Sequence, residues 1–313
     1  MPAKNYLLPE VLEQIKRLEV RARHVVEGFI TGQHKSPYHG FAVEFATHRE
    51  YAPGDDLRHI DWKVWSKTDR LYIKEYEEET NLQCTLIADR SASMSYAGME
   101  SGMETSWSKF DYAATVCASL THLLQHQQDQ VGLVTFSDKI DCNLPSASHP
   151  AQVKRIVHEL ESTVPKDGTD LAEVFAGLAA QIRRRGIVVL VSDLFVDPAI
   201  LGDALQQFHL RGHEVIVMHV MHSDELTFPF TQNILFRGLE IDRQLLTDPR
   251  ALRKTYLAAV GRFLDQVRTS CASLGVDYVL LDTGKPLDAA LASYLAFRRR
   301  AARGAARRYA GAR

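Results

Sequence analysis

The sequence predicts a doubly wound α/β domain with a mostly parallel sheet, and two observations support this prediction. From residue 81 onward, short apolar runs alternate with longer amphipathic segments. The longer segments reach the length of about ten residues or more that a helical crossover between parallel strands requires. Strands joined in this way form a buried sheet with helices packed on its faces.

The predicted strands are short apolar runs. Five of them are expected to pair in parallel, and residues 139–144 are expected to return as an antiparallel edge. The five runs are residues 82–89, 131–137, 187–193, 214–220 and 276–282.

Helices are predicted between these strands. Residues 109–127 carry apolar side chains at helical spacing. Cys117 falls on this apolar face, which predicts a core thiol rather than a nucleophile. The other predicted helices are residues 152–160, 171–185, 198–210 and 249–274, followed by a final helix that starts near residue 286.

Two segments depart from this alternation. Residues 1–80 begin with a predicted helix and continue as short strands and turns, with a strong turn signal at Pro53-Gly54-Asp55-Asp56. Residues 222–248 are too long for a simple connection and predict an inserted β-hairpin. We therefore expect an N-terminal α+β subdomain of residues 1–80 packed on the sheet, a sheet domain of residues 81–297 and an arginine-rich tail of residues 298–313.

Composition restricts the class of protein. The 313 residues are 45% hydrophobic and 24% charged, which is ordinary for a globular chain. No run approaches the roughly 20 apolar residues that span a bilayer, and the N-terminus lacks the apolar stretch of a signal peptide. The cysteines are scattered without a C-x-x-C pair, which favours free thiols in a reducing, cytoplasmic setting.

Charge is distributed unevenly along the chain. The tail, residues 298–313, contains seven arginines and no acidic residue; because the net charge is −2, residues 1–297 carry −9. We interpret the tail as a solvated helix end, where cations also suit the helix dipole. The alternative is an arm that makes a peripheral contact with an acidic partner surface, a membrane or nucleic acid. The acidic body argues against nucleic acid as the main partner.

A cluster of oxygen-bearing side chains follows the first strand of the sheet domain. Asp89, Ser91 and Ser93 form a D-x-S-x-S motif directly after an apolar run. One carboxylate and two hydroxyls suit a small hard cation such as Mg²⁺, with Mn²⁺ as the alternative. A cation with one charged ligand among neutral hydroxyls remains able to accept a carboxylate from another molecule. The motif therefore favours adhesion through a metal rather than catalysis at a metal.

Two further loops are predicted to converge on this cluster. In a doubly wound sheet, ligands bind outside the carboxyl ends of the strands. Asp193 ends a predicted strand, and Thr169 precedes a predicted helix. We expect the serine and threonine hydroxyls to bind the cation directly, and the two carboxylates to bind it directly or through water. Each of these residue types also caps helices, so the prediction depends on their convergence.

Enzymatic alternatives are less well supported by the sequence. The main one is a Mg²⁺-dependent phosphatase or phosphotransferase of the haloacid dehalogenase type, whose nucleophile is an aspartate at the end of a first strand. That chemistry requires a second carboxylate two residues later, where this chain has Ser91. Nucleotide-binding glycine motifs are absent from the sequence. His122 and His126 are spaced as in zinc proteases, but Leu123 replaces the glutamate base, which predicts surface histidines.

The three-loop pattern resembles the metal-ion-dependent adhesion site of von Willebrand factor A-type domains, in which D-x-S-x-S is followed by a threonine and an aspartate. The chain also resembles the domain of unknown function 58 family over roughly residues 20–297. The most specific matches are Arg49-Glu50-Tyr51, Gly54-Asp55-Asp56, Ile60-Asp61-Trp62 and Ser66-Lys67-Thr68-Asp69, and further matches lie at residues 40–45, 76–80 and 236–240.

This resemblance implies a von Willebrand factor A-like domain preceded by an N-terminal segment. It also implies an adaptor for a MoxR-type AAA+ ATPase, in chaperone-like maturation or assembly of client proteins. We therefore expect a non-catalytic adaptor, in which an acidic side chain of the ATPase or of a client completes the shell of the cation. The expected ligands of that cation are Asp89, Ser91, Ser93, Thr169 and Asp193.

Overall fold

The structure is a computed structural model that divides into two compact units, one of residues 1–31 with 82–313 and one of residues 32–81. It describes residues 18–20, 22–23, 25–26, 47–51, 62–68, 70–75, 82–98, 107–166, 168, 171–182, 184–240, 242–287 and 291–292. The predicted turn at Pro53–Asp56, the predicted ligand Thr169 and the arginine-rich tail lie outside these residues.

The elements alternate between strands and helices through most of the chain. In chain order they are β1 (Thr47–Glu50), α1 (Trp62–Thr68), β2 (Tyr72–Glu75), β3 (Gln83–Asp89), α2 (Lys109–His126), β4 (Gln130–Phe136), β5 (Ile140–Ala147), α3 (Ala151–Ser162), α4 (Leu171–Gln181), β6 (Ile187–Ser192), α5 (Pro198–Leu210), β7 (Glu214–Met221), α6 (Ser223–Thr227), β8 (Ile234–Arg237), β9 (Gln244–Thr247), α7 (Pro249–Ser273) and β10 (Asp277–Asp282).

A six-stranded sheet forms the centre of the larger unit. Its strand order is β10-β7-β6-β3-β4-β5, and every neighbouring pair is parallel except β4 with β5. β5 therefore forms the antiparallel edge that the sequence predicted. Together with the helical connections, this order confirms the doubly wound, mostly parallel fold class.

The two faces of the sheet bury different residues of the same strands. In β3, Leu86 and Ala88 belong to a hydrophobic cluster that includes α2 and α3, while Ile87 between them belongs to a cluster that includes α4 and α5. This alternation follows from the two-residue period of a strand. Because helices cover both faces, the central strands β3, β4 and β6 are buried along almost their whole length and are mostly apolar, as expected for a parallel sheet.

Two helices of the larger unit begin at caps that the sequence encodes. At α2, Ser108 and Asp111 form a capping box in which each side chain accepts a hydrogen bond from the backbone N–H of the other residue. At α7, the side chain of Asp248 accepts from the N–H of Arg250, and Pro249 occupies the first turn. The cap at α2 fixes the position of Lys109, the first residue of that helix.

The predicted insertion is a β-hairpin, which confirms that part of the fold prediction. β8 and β9 pair antiparallel, with Ile234 opposite Thr247 and Arg237 opposite Gln244. Phe228 is buried and its ring lies 4.4 Å from that of Tyr256 and 5.0 Å from that of Phe230, measured between centroids. Exposed leucines on the hairpin and on α7 form what we call the hairpin surface: Leu235, Leu239, Leu245, Leu246 and Leu252.

Within the smaller unit, residues 32–81, the described residues form an antiparallel strand pair and a short helix. β1 pairs with β2 so that Thr47 lies opposite Glu75 and Glu50 opposite Tyr72. In α1, the rings of Trp62 and Trp65 meet edge to face at 6.0 Å between centroids. The helical residues described between 18 and 26 belong to the larger unit, whereas the sequence grouped them with residues up to 80.

Candidate metal and docking site

The candidate site lies where the direction of the chain through the sheet changes. β3 and β6 are parallel neighbours at the centre of the sheet; the chain continues from β3 to β4 on one side and from β6 to β7 on the other. Their carboxyl ends therefore lie at a topological switch point, where open α/β sheets bind ligands. We refer to the polar residues at these strand ends as the carboxyl-end site: Asp89, Ser91, Ser93, Ser192 and Asp193.

Asp89 connects the two strand ends. It is fully buried at the end of β3, and its Oδ1 accepts a hydrogen bond from the N–H of Ser91 at 2.8 Å. Its Oδ2 accepts from the hydroxyl of Ser192 at 2.5 Å, and the Ser192 Oγ in turn accepts from the N–H of Leu194 at 2.9 Å. One carboxylate thus fixes both the loop after β3 and the loop after β6.

Ser91 and Ser93 present their hydroxyls to each other. Their Oγ atoms are 3.0 Å apart, and a short 3₁₀ helix, Ala92–Ser95, holds this spacing. Two neighbouring oxygens of a Mg²⁺ octahedron, with bonds of about 2.0–2.1 Å, lie about 2.9 Å apart. The hydroxyl pair therefore has the spacing of two adjacent ligands of such an ion.

Asp193 is paired with a buried lysine that the sequence analysis did not identify. The ammonium of Lys109 donates to Oδ2 of Asp193 at 2.7 Å and to Oε1 of Glu225 at 2.8 Å. The side chains of Lys109 and Asp193 are each only 1% exposed. The Oδ1 of Asp193 lies 3.4 Å from the N–H of Phe195, which donates to it.

Burial and neighbouring charges shift the protonation of this cluster. Burial, with the nearby negative charge of Asp193, raises the pKa of Asp89 to about 7, although hydrogen bonds from Ser192 and Ser91 act against the shift. Burial by itself lowers the pKa of Lys109, but the carboxylates of Asp193 and Glu225 outweigh it and raise this pKa above its ordinary value. The site therefore combines two mutually repelling carboxyl groups with a permanently charged ammonium.

His219 supports the loop after β6 from the neighbouring strand. Its Nε2 lies 2.8 Å from the carbonyl oxygen of Asp193 and its Nδ1 lies 2.8 Å from the hydroxyl of Tyr278. Burial lowers the pKa of His219 to about 4, so the ring is neutral at physiological pH. Since the carbonyl can only accept, Nε2 carries the proton and Nδ1 accepts from Tyr278.

Arg90, between Asp89 and Ser91, makes contacts with other parts of the sheet domain. Its guanidinium pairs with Asp141 at 3.1 Å and donates to the carbonyl of Val164 at 3.1 Å. Because Asp141 lies on β5, this ion pair links the loop after β3 to the antiparallel edge strand.

The donor set fits a hard divalent cation. Among the described residues, no group of three or more His, Cys, Asp or Glu side chains is arranged to hold a metal, so a cation here would depend on hydroxyl oxygens. Ser91 and Ser93 supply such oxygens at the right spacing, and the carboxylates of Asp89 and Asp193 repel each other and favour a nearby cation. Bound there, a divalent ion would provide a Lewis-acidic contact for an external carboxylate.

The structure brings Asp89, Ser91 and Ser93 together and places Asp193 at the end of the neighbouring strand. Thr169 lies outside the described residues, and the ligand set as a whole stays a prediction. Sequence reasoning missed Lys109, His219 and Glu225, and it assigned no role to Ser192, which directly precedes Asp193. The local sequence carries no signal for the burial of Lys109, because a lysine that opens a helix is ordinarily solvated.

Residues that the sequence analysis excluded from the site also lie elsewhere. Cys117 is fully buried on α2, as predicted for a core thiol, and burial raises its pKa to about 12. His126 is exposed and His122 is half-buried on the same helix, beside α3 rather than at the strand ends. None of the helices in the described part of the chain has both the length and the hydropathy needed to cross a membrane.

The chain is similar to uncharacterized proteins of mycobacteria. The uncharacterized proteins Rv1480 of Mycobacterium tuberculosis and Mb1516 of Mycobacterium bovis are each 24% identical to this chain over 299 residues, which covers 94% of this chain and 92% of each relative.

Three solved structures are similar to this chain at low identity. An aerotolerance-related membrane protein of Bacteroides fragilis has 18% identity and a TM-score of 0.45, covering 68% of this chain and 97% of its own. BatB of Bacteroides thetaiotaomicron has 17% identity and a TM-score of 0.42, covering 64% and 90%. The SpRpn10 VWA domain has 12% identity and a TM-score of 0.37, covering 67% and 93%. The sequence profile described as "Protein of unknown function DUF58" matches residues 47–263, and the chain belongs to this DUF58 family.

Proposed function

We propose that this protein is a non-catalytic adaptor that binds other proteins through a divalent cation at the carboxyl-end site. The cation is Mg²⁺, with Mn²⁺ as the alternative. Its ligands are Asp89, Ser91, Ser93, Thr169 and Asp193, and an acidic side chain of the partner completes its shell.

The observation that carries this proposal is the pair of serine hydroxyls at the switch point. Ser91 and Ser93 are held 3.0 Å apart by a loop that Asp89 fixes to both strand ends. Neutral hydroxyls leave a bound cation short of negative charge, so an external carboxylate is a favourable further ligand. A phosphatase of the haloacid dehalogenase type needs a carboxylate where this chain has Ser91, which is fully buried.

The partner that we propose is a MoxR-type AAA+ ATPase, a client protein of that ATPase, or both. This part of the proposal depends on the resemblance of the chain to its family. The hydroxyl pair supports only the chemistry of the contact, namely an acidic side chain presented by the partner.

The test measures binding to the ATPase encoded in the same genome, by biolayer interferometry, in Mg²⁺ and after removal of metal with EDTA. We expect the affinity to fall at least about tenfold in EDTA, which corresponds to about 1.4 kcal/mol. The Ser91→Ala and Ser93→Ala substitutions should each weaken binding in Mg²⁺ and reduce the effect of EDTA.

Ser95→Ala provides a matched control, because Ser95 lies on the same 3₁₀ helix but is exposed and donates to the carbonyl of Ala92. This variant should bind like the unaltered protein. Equal affinity with and without EDTA, together with full binding by the Ser91 and Ser93 variants, would show that the contact does not use a metal.

A further inference from the structure

Lys109 occupies a position that is unfavourable for a lysine on two counts. It is the first residue of α2, where the helix dipole repels a cation. Its side chain is also 1% exposed, and transfer of an ammonium from water into a protein interior costs several kcal/mol unless it is paired. A lysine at this position therefore depends on the acidic groups that surround it.

Two carboxylates supply that compensation. The Lys109 Nζ lies 2.7 Å from Asp193 and 2.8 Å from Glu225, which are distances of charge-assisted hydrogen bonds. The ammonium also lies 5.1 Å from the centroid of the Phe195 ring, a distance that allows a cation–π interaction. Phe195 lies in the loop after β6 and is itself half exposed.

Asp193 is both the partner of Lys109 and one of the proposed ligands of the metal. Oδ2 of Asp193 is bound to Lys109, while Oδ1 faces the N–H of Phe195. A divalent cation that draws on the charge of Asp193 must share it with the ammonium. The two cations also repel each other, and this repulsion is weakly screened because the site is buried.

We propose that Lys109 is a built-in counter-ion of the carboxyl-end site, and that it sets the affinity of the site for a divalent cation by holding Asp193. This inference rests on the proposed function, because it concerns the same cation. In the free protein the ammonium neutralises Asp193, so the polar cluster is stable without a metal. Binding of the metal then occurs against this internal competitor, and the site responds to changes in the concentration of the metal rather than holding it permanently.

The experiment titrates Mn²⁺ alone into the full-length protein and follows free Mn²⁺ by its electron paramagnetic resonance signal. Lys109→Met retains the length of the side chain and removes the charge. We expect this variant to bind Mn²⁺ at least about tenfold more tightly than the unaltered protein. Lys139→Met is the matched control, since Lys139 is exposed in the turn after β4 and its charge is screened by solvent; its affinity should not change.

A double variant addresses both folding and mechanism. Lys109→Met with Glu225→Gln removes one positive and one negative charge, so the net charge of the cluster is unchanged and Glu225 is not left as an unpaired carboxylate. If Lys109 acts by holding Asp193, the double variant also binds Mn²⁺ more tightly than the unaltered protein. If only the net charge of the cluster mattered, its affinity would equal that of the unaltered protein, and the inference would be wrong.

The outcomes separate this inference from the proposed function. Mn²⁺ binding by the unaltered protein with no gain in either Lys109 variant overturns the role of Lys109 and leaves the metal-dependent adaptor standing. Binding by the Lys109 variants alone supports the role of Lys109 and contradicts metal-dependent docking by the natural chain. Absence of binding in all of them overturns both.

Discussion

At the carboxyl-end site and its neighbour Lys109, charged and hydroxyl side chains are mostly buried and paired with one another, whereas on the hairpin surface leucine side chains are exposed to solvent. Lys109 and Asp193 are each 1% exposed, and Leu246 is 72% exposed. Both regions depart from the usual distribution, in which charged groups lie outside and large apolar groups lie inside. They do so in opposite directions, and they lie on the same compact unit.

The difference between these regions lies in what each one needs in order to be stable. A buried charge requires a partner within the chain, because removal of that partner leaves it unpaired in the interior. An exposed leucine requires nothing from the fold, because it has lost little contact with water to begin with. Substitutions at the carboxyl-end site should therefore destabilise the protein strongly, and substitutions on the hairpin surface should hardly destabilise it.

The largest decrease in unfolding free energy should come from breaking the buried ion pair of Lys109 and Asp193. Asp193→Ala leaves Lys109 with Glu225 as its remaining carboxylate, and loss of one partner of a buried pair costs about 3–5 kcal/mol. Urea denaturation followed by circular dichroism measures this change in unfolding free energy. Asp203→Ala, at an exposed position on α5, is the control and should change stability by less than about 0.5 kcal/mol.

A smaller loss of unfolding free energy is expected from truncation of the aromatic residue that packs next to the hairpin. Phe228 is buried against Tyr256 and Phe230, and truncation of such a side chain to alanine costs about 3 kcal/mol through lost burial and a residual cavity. Thermal unfolding should show the loss for Phe228→Ala. An unchanged melting temperature would mean that the hairpin does not depend on this cluster.

A pH effect is expected from a buried histidine at the opposite end of the sheet. Burial, together with the cations Arg211 and Arg185, lowers the pKa of His213 below its ordinary 6.5. As the pH falls below about 6.5, the unfolded chain binds a proton that the folded chain does not, so the free energy of unfolding decreases.

The contribution of His213 is therefore present at neutral pH and lost in mild acid. Between about pH 7.5 and about pH 5.5, the free energy of unfolding should decrease less in the His213→Gln variant than in the unaltered protein. Urea unfolding at each pH measures this free energy. If the free energy of unfolding depended on pH in the same way in both proteins, groups other than His213 would be responsible for the dependence.

The smallest effect should be found on the hairpin surface. Leu246→Ser replaces an exposed side chain, and surface substitutions of this kind change stability by less than about 0.5 kcal/mol. Urea unfolding of this variant should overlay that of the unaltered protein. If Leu246→Ser lowered the unfolding free energy as much as Asp193→Ala is expected to, the two regions would not differ in their contribution to stability.

The sequence was sufficient to predict the fold and the local part of the site. Apolar runs and their spacing predicted the parallel sheet and its antiparallel edge, and Asp89, Ser91 and Ser93 follow one another within five residues. Lys109 could not be placed in the same way, because its burial depends on Asp193 and Glu225, which are 84 and 116 residues away. A lysine that opens a helix is ordinarily solvated, and only tertiary packing reveals that this one is not.

The hydrogen bond between Ser192 and Asp89 has a consequence for the order of folding. It joins residues 103 positions apart, so the loops of the carboxyl-end site acquire their geometry only after β6 has docked beside β3. Contacts between residues so distant in the chain require closure of a long loop and form late. We therefore expect partly folded chains, such as those still being synthesised, to lack this geometry, so that recognition through the site is restricted to chains whose sheet is complete.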